Sequence, residues 1–142
     1  VVNNTLADNG GAGIYHDGLD QAVVQNNIVV GNAMGLQASI AVTPAAGQVG
    51  YNDVWQNAGG NWINYPASFG DRNTVNARGT PADAEMNISE DPRFAAAGDF
   101  HLRKTSLAVN AGTAANAPCS VVFCSVMNSS NLATVIMPST TA

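Results

Sequence analysis

Apolar and polar positions in the first 57 residues recur in units of 23 to 25 residues, not in a helical period. The stretches Val1 to Asn9, Val24 to Asn32 and Val49 to Asn57 carry the same residue types at the same offsets. The equivalent sets are Val1/Val24/Val49, Asn4/Asn27/Asn52, Leu6/Val29/Val54 and Asn9/Asn32/Asn57. A glycine-rich turn follows each second asparagine: Gly10 to Gly13, Ala33 to Gly35, and Ala58 to Gly60. An apolar residue follows the turn directly in two units, Ile14 and Leu36, and one residue later in the third, Trp62. From Val to the first Asn is three residues, and from that Asn to the next aliphatic is two. Inward side chains on one straight strand are strictly two apart, so the odd step predicts a bend beside the Asn, with a second short strand after it. Asparagine tolerates the left-handed backbone that such a bend requires.

Stacking the units places Asn4, Asn27 and Asn52 in one column and Asn9, Asn32 and Asn57 in another, about 4.8 Å apart. Their amides would then hydrogen-bond along each column as asparagine ladders. Asn-Gly pairs between apolar runs also mark hairpins of an antiparallel sandwich. A sandwich has no reason to repeat one residue type at one offset in every unit. The expected fold is therefore all-β, a parallel solenoid of about three coils.

Composition fits that picture. Of 142 residues, 46% are apolar, enough to bury a core, while only 11% are charged. Neutral Asn and Gly carry the polarity, which suits a flat β surface better than a helical bundle. The net charge of −5, with no cluster of Lys or Arg, excludes a nucleic-acid role. No apolar run approaches the roughly 20 residues that span a bilayer. The opening residues read as the middle of a strand, so the chain is expected to be a fragment that lacks upstream coils. An uncapped first coil predicts self-association through that end.

The stretch Tyr51-Asn52-Asp53-Val54-Trp55-Gln56-Asn57 resembles bacterial right-handed parallel β-helix repeat proteins of the pectate-lyase-like superfamily. It is most similar to members with a choice-of-anchor type ending, in which Gly stands where this chain has Gln56. A variable loop, here about residues 58–86, is followed by a closing pattern that matches Asn87 to Phe94, Gly98 to Leu102 and Ser106 to Thr113, with Leu107 in place of the usual Pro. The resemblance covers residues 1–117 and implies a right-handed β-helix, secreted or at the cell surface, in contact with extended polysaccharide. A solenoid end needs a cover, and Phe94, Phe100, Leu102 and Val109 are expected to plug it. Asp99 and His101 lie inside the closing pattern and read as structural. Residues 118–142 depart from the family and contain no charge after Pro118, so they are expected to form an atypical, poorly packed tail. Cys119 and Cys124 within it would close a small disulfide loop or remain free thiols.

Fold alone does not fix function in this superfamily. Polysaccharide lyases use a Lys or Arg base and often calcium, yet Arg72 and Arg78 fall in the loop, and Arg93, Arg103 and Lys104 in or beside the closing pattern. The one compact polar cluster holds His16, Asp17 and Asp20, candidates for acid–base work or for holding a cation, which would be calcium. Gly10 to Ile14 begins like a calcium-binding nonapeptide repeat, but Tyr15 stands where its Asp belongs, so no metal site is assigned. Tyr51, Trp55, Trp62 and Tyr65 would form a sugar platform if they face outwards, and would fill the coil or brace the loop if they face inwards. Three glycosylation patterns, at Asn3, Asn87 and Asn128, are those expected by chance in an Asn-rich chain. The expected function is that of non-catalytic C-terminal coils of a protein that binds or processes polysaccharide. A purely structural or adhesive β-helix is the alternative, and a small lyase or hydrolase the third.

Overall fold

A computed structural model describes residues 1–18 and 22–114, which form twelve short strands and, among them, no helix. In chain order these are β1 (Thr5–Ala7), β2 (Ala12–His16), β3 (Val24–Gln25), β4 (Ile28–Val30), β5 (Met34–Ala38), β6 (Val49–Gly50), β7 (Asp53–Trp55), β8 (Trp62–Ile63), β9 (Thr74–Val75), β10 (Pro81–Ala82), β11 (Phe94–Ala96) and β12 (Asp99–Leu102). Three sheets are parallel: β1-β4-β7, β2-β5-β8 and β3-β6. Their register is that of the sequence repeat. Leu6 pairs with Val29 and Val29 with Val54, while Val24 pairs with Val49. Hairpins give antiparallel neighbours, so this parallel pairing excludes the sandwich alternative for the repeats.

Three inward columns meet in one core: Val24 with Val49, Val29 with Val54, and Ile14 with Leu36. All six are buried, and Leu6, Val42, Trp62, Tyr65 and Phe69 pack against them. Each such aliphatic side chain contributes about 1.5–3 kcal/mol on burial. Close stacking restricts the turns as well. A Cβ on Gly13 would meet Val29 Cγ1 at 2.5 Å and Asn32 Nδ2 at 2.8 Å.

The asparagines make two hydrogen-bonded ladders with a common polarity. In the first, each backbone N–H and side-chain Nδ2 donates to the Oδ1 of the next: Asn4 to Asn27, Asn27 to Asn52, and Asn52 to Asn87. Asn87 donates in turn to the carboxylate of Asp83. The second runs from Asn9 through Asn32 and Asn57 to Asn61, whose Nδ2 donates to Ser89 Oγ at 3.3 Å. The remaining Nδ2 hydrogens of Asn52 and Asn57 go to the carbonyls of Val24 and Val29, both at 3.0 Å. A carboxylate has no hydrogen to pass on, and the Ser89 hydroxyl donates to the Val54 carbonyl, so both donor chains stop here.

The bend lies beside each ladder asparagine, and the left-handed residue is the one before it, not the asparagine itself. The left-handed residues are those preceding each ladder position: Asn3, Asn26, Tyr51 and Met86 in one column, Asp8, Gly31 and Gln56 in the other. Turning the chain just before the ladder residue leaves that residue's own N–H and amide both aimed at the next unit.

The end of the stack is also closed differently from the expectation. Glu85 and Ile88 carbonyls accept from the Tyr51 and Val54 amides, and the Ile88 amide donates to Asn52 O at 2.8 Å. Asn87-Ile88-Ser89 thus continues Asn52-Asp53-Val54 as a further layer. Phe94 and Phe100 instead pack on each other in the β11–β12 hairpin, ring centroids 5.2 Å apart, with Phe100 47% exposed. Open strand edges need hydrogen-bond partners, which a peptide with the repeat's own pattern supplies and a phenyl ring does not. Beyond the hairpin, residues 103–113 run as a strap along the outside of the second and third units. Arg78 Nη1 ties the strap through the carbonyls of Ser106 and Val109. Asn26 fastens its end by donating to Thr113 O and accepting from Thr113 N.

Candidate functional site

The first cluster to weigh is the turn after β2. His16 Nδ1 lies 2.7 Å from Gly18 O, and since a carbonyl only accepts, Nδ1 carries the proton. Nε2 is then the acceptor for the Tyr65 hydroxyl at 2.6 Å. Both ring nitrogens are engaged, which leaves no lone pair for a substrate. Tyr65 is held in its protonated form, because burial pushes its hydroxyl above the usual range. Asp17 is exposed and accepts from the Ser39 hydroxyl. Asp20 lies outside the described residues, as do Cys119, Cys124 and the segment 118–142. Among the described residues no three His, Cys, Asp or Glu side chains gather in a way that could hold a metal ion.

The four aromatic candidates fall into two places. Trp62 and Tyr65 stack with Phe69 against the core, ring centroids 5.2–5.5 Å apart, and Tyr65 meets His16 edge to face. The structure therefore joins a residue proposed for acid–base work to one proposed for sugar stacking, in a packing cluster. Tyr51 and Trp55 are half-buried on the other sheet, on either side of Asp53 and Val54. The most exposed aromatic of the repeats is Tyr15, which is 60% exposed and was not singled out by sequence. In the closing hairpin the amide and ring of His101 bond Asp99 Oδ1 and hold its carboxyl below the usual range, on a fully solvated surface.

The group that sequence reasoning passed over is Asp53. Strand alternation turns Val54 inward to the core and Asp53 outward, into the column Thr5, Ile28, Asp53, Ile88. The strap passes over the Ile28, Asp53 and Ile88 part of that column, and Asp53 is only 3% exposed. Its Oδ1 accepts from the Glu90 amide at 3.1 Å, while Oδ2 is buried with no partner. Burial pushes the carboxyl up to about 7; the Glu90 amide opposes the shift, and the charges of Glu90 and Asp91 add to it. Beside it opens a pocket of about 210 Å³. Ile28, Met86, Ile88 and Leu102 form its apolar walls, with Tyr51 and small strap residues at its edge. The repeat alignment offered a signal in hindsight. Asp53 occupies the position of Thr5 and Ile28, and a carboxylate in a column with an aliphatic is out of place unless something answers it.

No helix among the described residues is long and apolar enough to cross a membrane. Comparison with known protein families, with curated proteins and with solved structures finds no match to this chain.

Proposed function

We propose that the described residues are closing coils of a right-handed parallel β-helix, with an architectural, non-catalytic role in a secreted or cell-surface protein that binds or processes extended polysaccharide. The observation that carries this reading is the pair of polarised asparagine ladders, each spaced by the 23- and 25-residue repeat and each stopped by a residue that ends the donor chain. Parallel pairing of all three repeat sheets at the same spacing supports it. The engaged ring of His16 supports the absence of catalysis at the turn after β2. Polysaccharide contact rests on the resemblance of Tyr51 to Asn57 and of the closing pattern to β-helix proteins of the pectate-lyase-like superfamily.

A purely structural or adhesive β-helix is the second reading. It is favoured by the packing of Trp62, Tyr65 and Phe69 against the core, which takes them out of any sugar platform. Affinity electrophoresis through gels cast with neutral and acidic polysaccharides separates the two, with reducing ends and unsaturated products assayed in parallel. Retardation without product is the expected result. Unretarded migration in every gel selects the second reading, and product formation overturns the non-catalytic role.

A further inference from the structure

We propose that Asn9 is a site of spontaneous covalent modification: its side-chain amide nitrogen is displaced by the Gly10 nitrogen, and water opens the resulting cyclic imide to aspartate and isoaspartate. The reaction needs the nitrogen of the following residue to reach the asparagine Cγ, and a Cβ on that residue crowds the approach. Asn9-Gly10 is the only Asn-Gly pair in the chain. The ladder supplies the second condition. In the later units the equivalent nitrogen is already engaged, since the Ala33 amide donates to Asn9 O and the Ala58 amide to Asn32 O, both at 2.9 Å. Gly10 stands in the first unit, where its amide meets no carbonyl among the described residues and the space around it is open.

Asn9 itself is gripped from one side only. Its amide N–H and Nδ2 both donate to Asn32 Oδ1, while among the described residues nothing donates to its own Oδ1. Asn32 is held on both sides, accepting from Asn9 and donating to Asn57 Oδ1 and Leu6 O, and it is buried where Asn9 is exposed. Asn4 shares the exposed edge but precedes Thr5, whose branched side chain crowds the approach. Hydroxide takes the Gly10 amide proton, the bond from Gly10 N to Cγ forms, and the bond from Cγ to Nδ2 breaks. The departing nitrogen takes a proton from water and leaves as ammonia, and a water molecule then opens the imide. Aspartate sets a carboxylate oxygen against Asn32 Oδ1 in place of a donor. Isoaspartate lengthens the main chain by a methylene and turns the carbonyl that accepts from Ala33 into a free carboxylate. A further unit stacked on this edge would enclose Asn9 as Asn32 is enclosed, and would slow the reaction.

The test is peptide mapping by mass spectrometry of the whole chain, held folded at mildly alkaline pH, beside a free peptide of residues 6–13. The mapped Asn9 peptide is expected to gain the mass of an amide-to-acid exchange and to split into aspartate and isoaspartate forms. Its rate should be of the same order as in the free peptide, ahead of Asn4, Asn32 and Asn57, and should rise in proportion to hydroxide. Gly10→Ala should slow the conversion at least about tenfold. A Cβ at Gly10 meets no atom within 4 Å, so the fold accepts that variant. An Asn9 that stays intact in the folded chain while the free peptide converts would overturn the proposal. Equal rates at Asn9 and Asn32, or a Gly10→Ala chain that converts as fast as the unaltered one, would do the same.

Discussion

Asn52 and Asp53 are neighbours in the chain, both are withdrawn from solvent, and their side chains meet opposite conditions. Asn52 turns to the ladder, where its Oδ1 accepts two hydrogen bonds from Asn27 and its Nδ2 donates to Asn87 and to Val24. Asp53 turns to the strap, where one oxygen is unanswered. The contrast extends to the two regions as wholes. Buried side-chain polar atoms without a partner occur at Asp53, Trp62, Asn76 and Thr80, and none belongs to a ladder asparagine. A repeat solves its hydrogen bonding once and copies the solution, so the ladder reads as architecture. The outer face is assembled from unique segments, and there the hydrogen bonding of Asp53 is left incomplete.

The largest expected effect comes from cutting the ladder at its middle. Asn52→Ala removes the Oδ1 that accepts from both the Asn27 amide and its Nδ2, takes the Nδ2 donor from Asn87 and from the Val24 carbonyl, and leaves a void in a closed stack. At about 1–3 kcal/mol per stranded buried group, the loss should be at least about 4 kcal/mol in urea unfolding. Asn9→Ala, at the exposed start of the second ladder, should cost no more than about 1 kcal/mol. Equal losses at the two sites would mean that the ladders are incidental to stability.

Next in size is the pH dependence that Asp53 imposes. Its carboxyl sits near 7 in the folded chain, against 3.8 as the ordinary value. Below about pH 4 both folded and unfolded chains hold the proton, and the contribution to stability is greatest. As pH rises towards about 7 only the folded chain keeps it, so stability falls across that window and is level above it. The amount is of the order of a few kcal/mol, at about 1.4 kcal/mol per pH unit. Thermal unfolding between pH 4 and 8 should show the decline, and Asp53→Asn should flatten it; the same slope in the variant would assign the effect to other carboxylates. Gly13→Ala should follow at about 2 kcal/mol, because its Cβ would press into Val29 and Asn32.

What the sequence made legible was what it repeated. The columns Val24/Val49, Leu6/Val29/Val54 and the two asparagine series could be read from offsets alone, because each stacked unit meets the same environment. Asn87 escaped that reading although it extends the first ladder, since the loop before it stretches the spacing from Asn52 to 35 residues. Ser89 escaped for a related reason: it takes the place of Val54 in the next layer but carries a hydroxyl. The covered state of Asp53 depends on a strap 50 residues further along, and no local pattern encodes such an encounter. The aromatic candidates were chosen by residue type, and type does not tell whether Trp62 looks to the core or to solvent.

The smallest effect bears on the bend itself, where the two ladders differ in how easily the chain turns. The residue before each ladder position is left-handed, and the second series uses Asp8, Gly31 and Gln56, with φ of 55°, 69° and 47°. Glycine adopts this conformation without steric cost, whereas a residue with a Cβ pays about 1 kcal/mol. Gln56 is exposed, so replacing it forfeits little packing. Gln56→Gly should therefore raise stability by about 0.5–1 kcal/mol, after the greater flexibility of glycine in the unfolded chain is set against the relief. The reverse change, Gly31→Gln, should cost more than Gln56→Gly gains, because a Cβ there also runs into the Asp8 side chain. Urea midpoints of the two variants measure both signs at once. If Gln56→Gly destabilises, the left-handed turn is held by contacts of the glutamine side chain and not merely tolerated, and the two ladders would then differ in what fixes their corners.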